Sequence, residues 1–219
     1  MPPTPSARTA STDSRTSLLR AASDEFLQVG FHAARVQRIT TQAGVGLAAI
    51  NYHFGSKEGL YLAVLEHHAA LAIQHAPLPV DDQLSPREQL AGLVESLLHR
   101  MVDPASPSRI GPLILREMMN PTAALDQMFA RVGIVQAGQA LAVLRRIVGP
   151  MVSEAQLRMA LFSLFGQCIF YLSCQPMVQR LAPGWQADPD TLRHVAAHIT
   201  QFTWAGLQAL HALPEESCV

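Results

Sequence analysis

Apolar residues recur at three- and four-residue spacing through almost every segment of this 219-residue chain, and no stretch sustains the alternation of a strand. That periodicity confines the fold to helices. It predicts an all-α chain of about nine, over roughly 14–29, 36–43, 47–54, 57–75, 86–102, 110–119, 123–148, 153–180 and 190–213. The first three are short and compact, and the rest form a larger, more apolar bundle.

Local signals place the ends. Leu18, Leu19, Ala22, Phe26 and Leu27 put one apolar face on the first helix, and Gly30 stops it. Ser56 is placed to cap the fourth helix. Ser85, with Glu88 three residues on and Pro86 between them, makes a capping box for the fifth. Gly149-Pro150 ends the seventh, and Pro176 is expected to kink the eighth. The Pro-, Ser- and Thr-rich stretch 1–12 reads as a disordered tail with no apolar leader, and 214–219 as a second tail.

Composition narrows the class. Hydrophobic residues make up 49% of the chain and charged residues only 15%, a surplus that an oligomer interface or a ligand cavity would absorb. The longest apolar run, Met159 to Leu172, is shorter than a bilayer span and is interrupted by Ser163, Gly166 and Gln167, so no membrane partner is expected. Cys168, Cys174 and Cys218 form no disulfide framework, which fits a reducing cytoplasm. Net charge is −1, yet residues 1–60 carry six basic against four acidic side chains while the remainder carries ten against thirteen. The sign of that split fits an N-terminal unit that meets an anion.

Two short helices joined by a glycine turn, behind a longer support helix, have the layout of a helix-turn-helix within a domain spanning 13–58. Ala43 and Gly44 suit the turn, while Val45 and Ile50 lock the second of the pair against the first. Ala48 and Ala49 are small enough to approach a major groove, and Asn51, Tyr52 and His53 offer hydrogen-bonding groups. Lys57, the one lysine in the sequence, follows directly.

The stretch "TTQAGVGLAAINYHFGSKEGLY" resembles the DNA-binding core of the TetR family of transcriptional regulators. Gly30-Phe31, Ala43-Gly44-Val45, Tyr52-His53-Phe54 and Gly55-Ser56-Lys57-Glu58 with Leu60 carry the likeness, which covers about 14–65. "LAAINYHFGSKE" and "REMMNPTAALD" are similar to its CecR-like subgroup. Thr40, Gly46 and Asn51 depart from the common pattern, which leaves the operator sequence open. The resemblance implies that Lys57 contacts a phosphate, that Tyr52 and His53 bond the DNA backbone, and that Arg35 and Gln37 touch phosphate or a base edge. It also implies that Asn51 reads a base or a phosphate, and that Leu47, Ala48 and Ala49 face the groove.

Residues 59–213 are then expected to bind a small-molecule effector and to dimerise through the last two long helices. Arg116, Glu117, Asn120, Gln167 and Cys174 are the polar candidates for the ligand site, although each could equally serve a structural contact. No cofactor is expected. His194 and His198 share a helix face, but no acidic or Cys partner lies at metal-site spacing, so no metal is expected either. No nucleophile motif or paired-carboxylate arrangement supports an enzyme. The reading is a cytoplasmic, dimeric repressor of double-stranded operator DNA, released by its effector and controlling efflux or drug-tolerance genes. The alternatives are a ligand-independent regulator or activator, or an all-α enzyme or carrier with an incidental helix-turn-helix.

Overall fold

The structure is a computed structural model that describes residues 7–79, 81 and 83–210. The expected tail 214–219, Cys218 and the end of the last expected helix lie outside the described residues. Helices follow one another in the order α1 (Ala7–Ala33), α2 (Val36–Ala43), α3 (Ala48–Phe54), α4 (Lys57–His75), α5 (Pro86–Met101), α6 (Ile110–Met119) and α7 (Ala123–Met128). A π-helical turn (Phe129–Gly133) leads into α8 (Ile134–Val148), α9 (Glu154–Ser173), α10 (Gln175–Leu181) and α11 (Pro189–Leu210). No strand occurs among the described residues.

The all-α expectation holds, and its departures have local causes. The expected helix 123–148 is divided by the π turn, and the expected 153–180 is divided at Cys174, where Pro176 begins a new helix. α1 starts at Ala7 rather than near residue 14, so the second half of the expected disordered tail is helical backbone. Within 1–12, proline is confined to the first five residues, and a helix already nucleated further on extends at little cost. Gly30 breaks the helical geometry of α1 at φ 78°, as its stop signal indicated.

The chain divides into two compact units: residues 1–69 with 112–131, and residues 70–111 with 132–219. This division differs from a boundary at residue 58, because most of α4 and the segment from α6 through the π turn belong to the first unit. That unit packs Leu18, Ala22, Phe26, Ile39, Ile50, Leu60, Tyr61 and Leu65 out of water. The second unit has its own core from α5, α8, α9 and α11, with Leu90, Leu93, Leu98, Leu144, Leu164 and Ile199 at its centre. Both caps expected from sequence are present. Ser56 Oγ accepts from the Gly59 N–H at 3.1 Å, and Ser85 and Glu88 form the reciprocal box at the start of α5.

Among the described residues, α9 is long and apolar enough to cross a membrane by length and composition. The helix extends past both ends of the apolar run that seemed too short in the sequence. Its Leu157, Leu164 and Cys168 are buried in the core of the second unit, and burial pushes the Cys168 thiol up to about 12.

Gly59 sets how closely α4 follows α3. A Cβ at this position would lie 2.0 Å from the Phe54 carbonyl oxygen, a backbone atom that cannot swing aside. Gly59→Ala is therefore expected to lower stability by about 1–3 kcal/mol, read as a reduced urea midpoint of the full chain by circular dichroism.

Candidate nucleic-acid interface

In the first unit one buried carboxylate fixes the start of α2. Glu25 on α1 is 3% exposed. Its Oε1 accepts the backbone N–H of Arg35, the N-cap residue of α2, at 3.2 Å, and its Oε2 meets Arg38 Nε at 3.3 Å. A side-chain bond from Gln42 to Asp24 (3.1 Å) ties the other end of α2 to α1. These bonds satisfy a donor at the start of α2 that no local cap side chain serves.

The turn between α2 and α3 is a left-handed helix end. Gly44 has φ 68° and ψ 31°, its N–H donates to the Thr41 carbonyl, and the Val45 N–H donates to that of Thr40 at 3.0 Å. This six-to-one closure puts Gly44 in the left-handed region, which strongly favours glycine. Thr40 itself is buried and donates its hydroxyl to the Gln37 carbonyl. α3 then begins with a tight turn, the Ala49 N–H reaching the Gly46 carbonyl at 3.0 Å, and no side chain caps it. Gly46 thus supplies the carbonyl that starts the helix and no cap of its own.

Ile50 points inward from α3 and is buried. The opposite face is open: Leu47, Ala48, Asn51 and Tyr52 are exposed, and Ala49 and His53 are half-buried. Tyr52 is 79% exposed, its ring edge-on to His53 at 4.8 Å. Arg35 and Gln37 are exposed at the start of α2. Lys57 is half-buried, with Nζ 4.7 Å from the Phe31 ring centroid and donating to the His32 carbonyl at 3.4 Å. Its stem therefore lies on the unit and its ammonium stays at the surface. Glu58, beside it, is held below the usual carboxylate range by its own backbone N–H and by Ser56, as suits an anion in the first turn of a helix. All nine residues expected to meet DNA thus lie in the first unit, none of them buried.

The five polar residues expected to line a ligand site do not form one group. Arg116, Glu117 and Asn120 belong to the first unit, and Gln167 and Cys174 to the second. Arg116 donates to the Leu27 carbonyl at 2.6 Å and to that of Gln28 at 3.3 Å. Glu117, 1% exposed, accepts from Tyr61 Oη at 2.7 Å and from the N–H of Thr122 at 2.8 Å, with the Thr122 hydroxyl also in reach. Burial, then the bond to Glu117, drives the Tyr61 phenol far above its ordinary pKa. Asn120 is exposed at the end of α6. Gln167 donates to Thr203 Oγ1 at 3.3 Å, and the Cys174 thiol contacts the Ser173 hydroxyl.

Sequence reasoning missed the cavity in the second unit. It measures about 150 Å³ between α5 and α8, lined by Leu78, Pro79, Leu93 and Val143 with Asp81, Gln89, Gln139 and Arg146. Gln89 is buried there. Its amide nitrogen donates to the Asp81 carbonyl at 2.7 Å, and its Oε1 has no partner among the described residues. Its only signal in the sequence is a polar residue inside the apolar face of α5.

A helix-turn-helix borne on an all-helical chain with a separate apolar bundle defines a DNA-binding regulator. Residues 18–64 match the family described as bacterial regulatory proteins, tetR family, and residues 86–210 match the C-terminal domain of the HTH-type transcriptional dual regulator CecR. The chain belongs to the TetR family of transcriptional regulators, in its CecR-like subgroup. It is 32% identical over 136 residues to the HTH-type transcriptional regulator RutR of Escherichia coli K12, covering 57% of this chain and 63% of that one. It is 31% identical over 118 residues to the dual regulator CecR of Shigella flexneri, covering 49% and 52%. These matches span about half to three-fifths of the relatives' lengths. Among solved structures, the hemolysin II transcriptional regulator HlyIIR shares the fold with a TM-score of 0.61 at 20% identity, over 87% of this chain and 98% of that one.

Tyr61→Phe removes one of the donors that the Glu117 carboxylate depends on. It is expected to cost about 1–3 kcal/mol, seen as a lower urea midpoint, while Thr122 still holds the carboxylate.

Proposed function

We propose that this protein is a dimeric, cytoplasmic repressor that binds double-stranded operator DNA through α3 and its neighbours and is released by a small molecule held in the second unit. The observation that carries the DNA-binding reading is Tyr52. A large aromatic, 79% exposed, stands beside Asn51 on the face of α3 opposite the buried Ile50. Beyond its edge-on contact with His53 such a side chain adds little to the packing of its own unit, and its hydroxyl suits a phosphate oxygen. Ala48 and Ala49 add clearance for the groove, with Leu47 at its edge. Arg35, Gln37, His53 and Lys57 add donors around it.

Dimerisation rests on α9 and α11. Met159, Phe162 and Phe170 on α9 and Phe202 on α11 are exposed, Phe162 by 66% and Phe202 by 65%, although both helices bury another face in the core. Two helices from each subunit packed as a four-helix interface would cover that surplus. The resulting two-fold pair would set two α3 helices on successive major grooves, about 34–36 Å apart. Buried Gln89, with its unpartnered oxygen and apolar surroundings, is the best anchor for an effector in the second unit. Release then follows if the effector binds better to the conformation that fits the operator less well. Control of efflux or drug-tolerance genes is carried over from the CecR-like resemblance. The similarity to a dual regulator supports a second reading, in which the same site also activates.

Footprinting on the DNA flanking the gene tests the central reading: a protected, two-fold symmetric site is expected, and its absence at low salt would leave an all-α enzyme or carrier as the better reading. On that site, Tyr52→Ala should weaken binding. Lys57→Ala should lower the slope of log affinity against log salt by about one per half-site. By light scattering the wild-type chain should show twice the chain mass, and Phe202→Asp should shift it toward the monomer.

A further inference from the structure

We propose that His75, His99 and Asp103 form a binding site for a divalent transition-metal ion in the second unit. His75 is the last residue of α4, His99 lies in the last turn of α5, and Asp103 follows that helix. One ligand atom from each lies within 4.8 Å of the other two. His99 Nδ1 is 2.9 Å and His75 Nε2 3.5 Å from the same oxygen, Asp103 Oδ2. Ligand atoms around a tetrahedral zinc at about 2.0–2.2 Å stand roughly 3.4 Å apart, so small side-chain rotations would close the set on an ion.

The surroundings hold the three residues ready. Asp103 Oδ1 accepts the Ala105 N–H at 2.8 Å, which fixes the carboxylate and leaves Oδ2 toward the imidazoles. The carbonyl of Ala76, next to His75, accepts from Ser96 Oγ and Arg100 Nε at 2.7 Å each, pinning the end of α4 against α5. The Arg100 guanidinium also donates to Gln136, and burial lowers its pKa to about 10. Burial alone would raise the Asp103 carboxyl, but His99, the Ala105 N–H and His75 hold it below the ordinary range, so it is ionised at neutral pH. Its charge sits just past the C-terminus of α5, where the helix dipole already disfavours an anion and favours a cation. Exposed His75 leaves the site open to solvent, with room for water to complete the coordination. Two imidazole nitrogens with one carboxylate suit zinc, nickel or cobalt better than calcium or magnesium. The ion would join the ends of α4 and α5: His99 and Asp103 are four residues apart, and His75 lies 24 residues before His99 in the sequence.

The test uses the tag-free full chain, with Co²⁺ titrated alone and followed by its visible absorption, and Zn²⁺ by equilibrium dialysis. One ion per chain is expected. His99→Ala and Asp103→Asn should each weaken binding by at least about tenfold, with helical content retained by circular dichroism. If His99→Ala does not fold, His75→Ala, at an exposed position, carries the same expectation. Removing the other histidine pair, with His194→Ala and His198→Ala together, should leave binding unchanged. The proposal is overturned if the wild-type chain binds neither ion, in which case the three residues are only a hydrogen-bonded helix end. It is equally overturned if binding persists undiminished in the His75, His99 and Asp103 variants.

Discussion

The first unit depends on a hydrogen bond that water cannot reach. Tyr61 Oη and the Glu117 carboxylate meet at 2.7 Å with both residues about 1% exposed. A buried carboxylate without its donors is among the more costly defects a fold can carry, so the groups that serve it must stay in place. Those groups come from α4 and from the start of α7. That is why residues 112–131 fold with the N-terminal helices rather than with the bundle they adjoin in sequence. Tyr61 also packs edge-on against Phe26 at 4.7 Å, which carries the same constraint into α1. Glu25, next to Phe26 on α1, repeats the device: one buried carboxylate fixes the start of α2.

This framework leaves α3 free of structural duties on its outer face. Ile50 alone anchors the middle of the helix, so Asn51 and Tyr52 can face solvent without loss of stability. The second unit is organised differently. Its core cluster is apolar, with Ser96, Arg100, Thr200 and Thr203 buried around it, and two further polar groups stand out: Gln89 at the cavity beside Leu78 and Pro79, and His75, His99 and Asp103 at the ends of α4 and α5. An apolar surplus remains on the outer faces of α9 and α11, with Met159, Phe162, Phe170 and Phe202 exposed.

Much of this was legible in the residues. Helical period, glycine stops and the capping residues placed most elements within a few positions, because those signals act over one turn of backbone. The glycine turn and the composition of α3 were readable for the same reason. The roles of Arg116 and Glu117 were not. Both looked like polar residues in an apolar helix, a description that fits a ligand site and a buried framework equally well. Their partners, Leu27 and Tyr61, lie 89 and 56 residues away along the chain.

The sequence by itself determined that the chain is all-helical, that it carries a helix-turn-helix between Val36 and Phe54, and that its helices hold more apolar surface than one core requires. These properties follow from local periodicity and composition. Only the tertiary structure decided which carboxylates are buried, that α6 and α7 complete the first unit, and that three side chains from two helix ends converge on one point. Each of these depends on contacts between residues distant in sequence, and no one-turn signal encodes the distance between two such side chains.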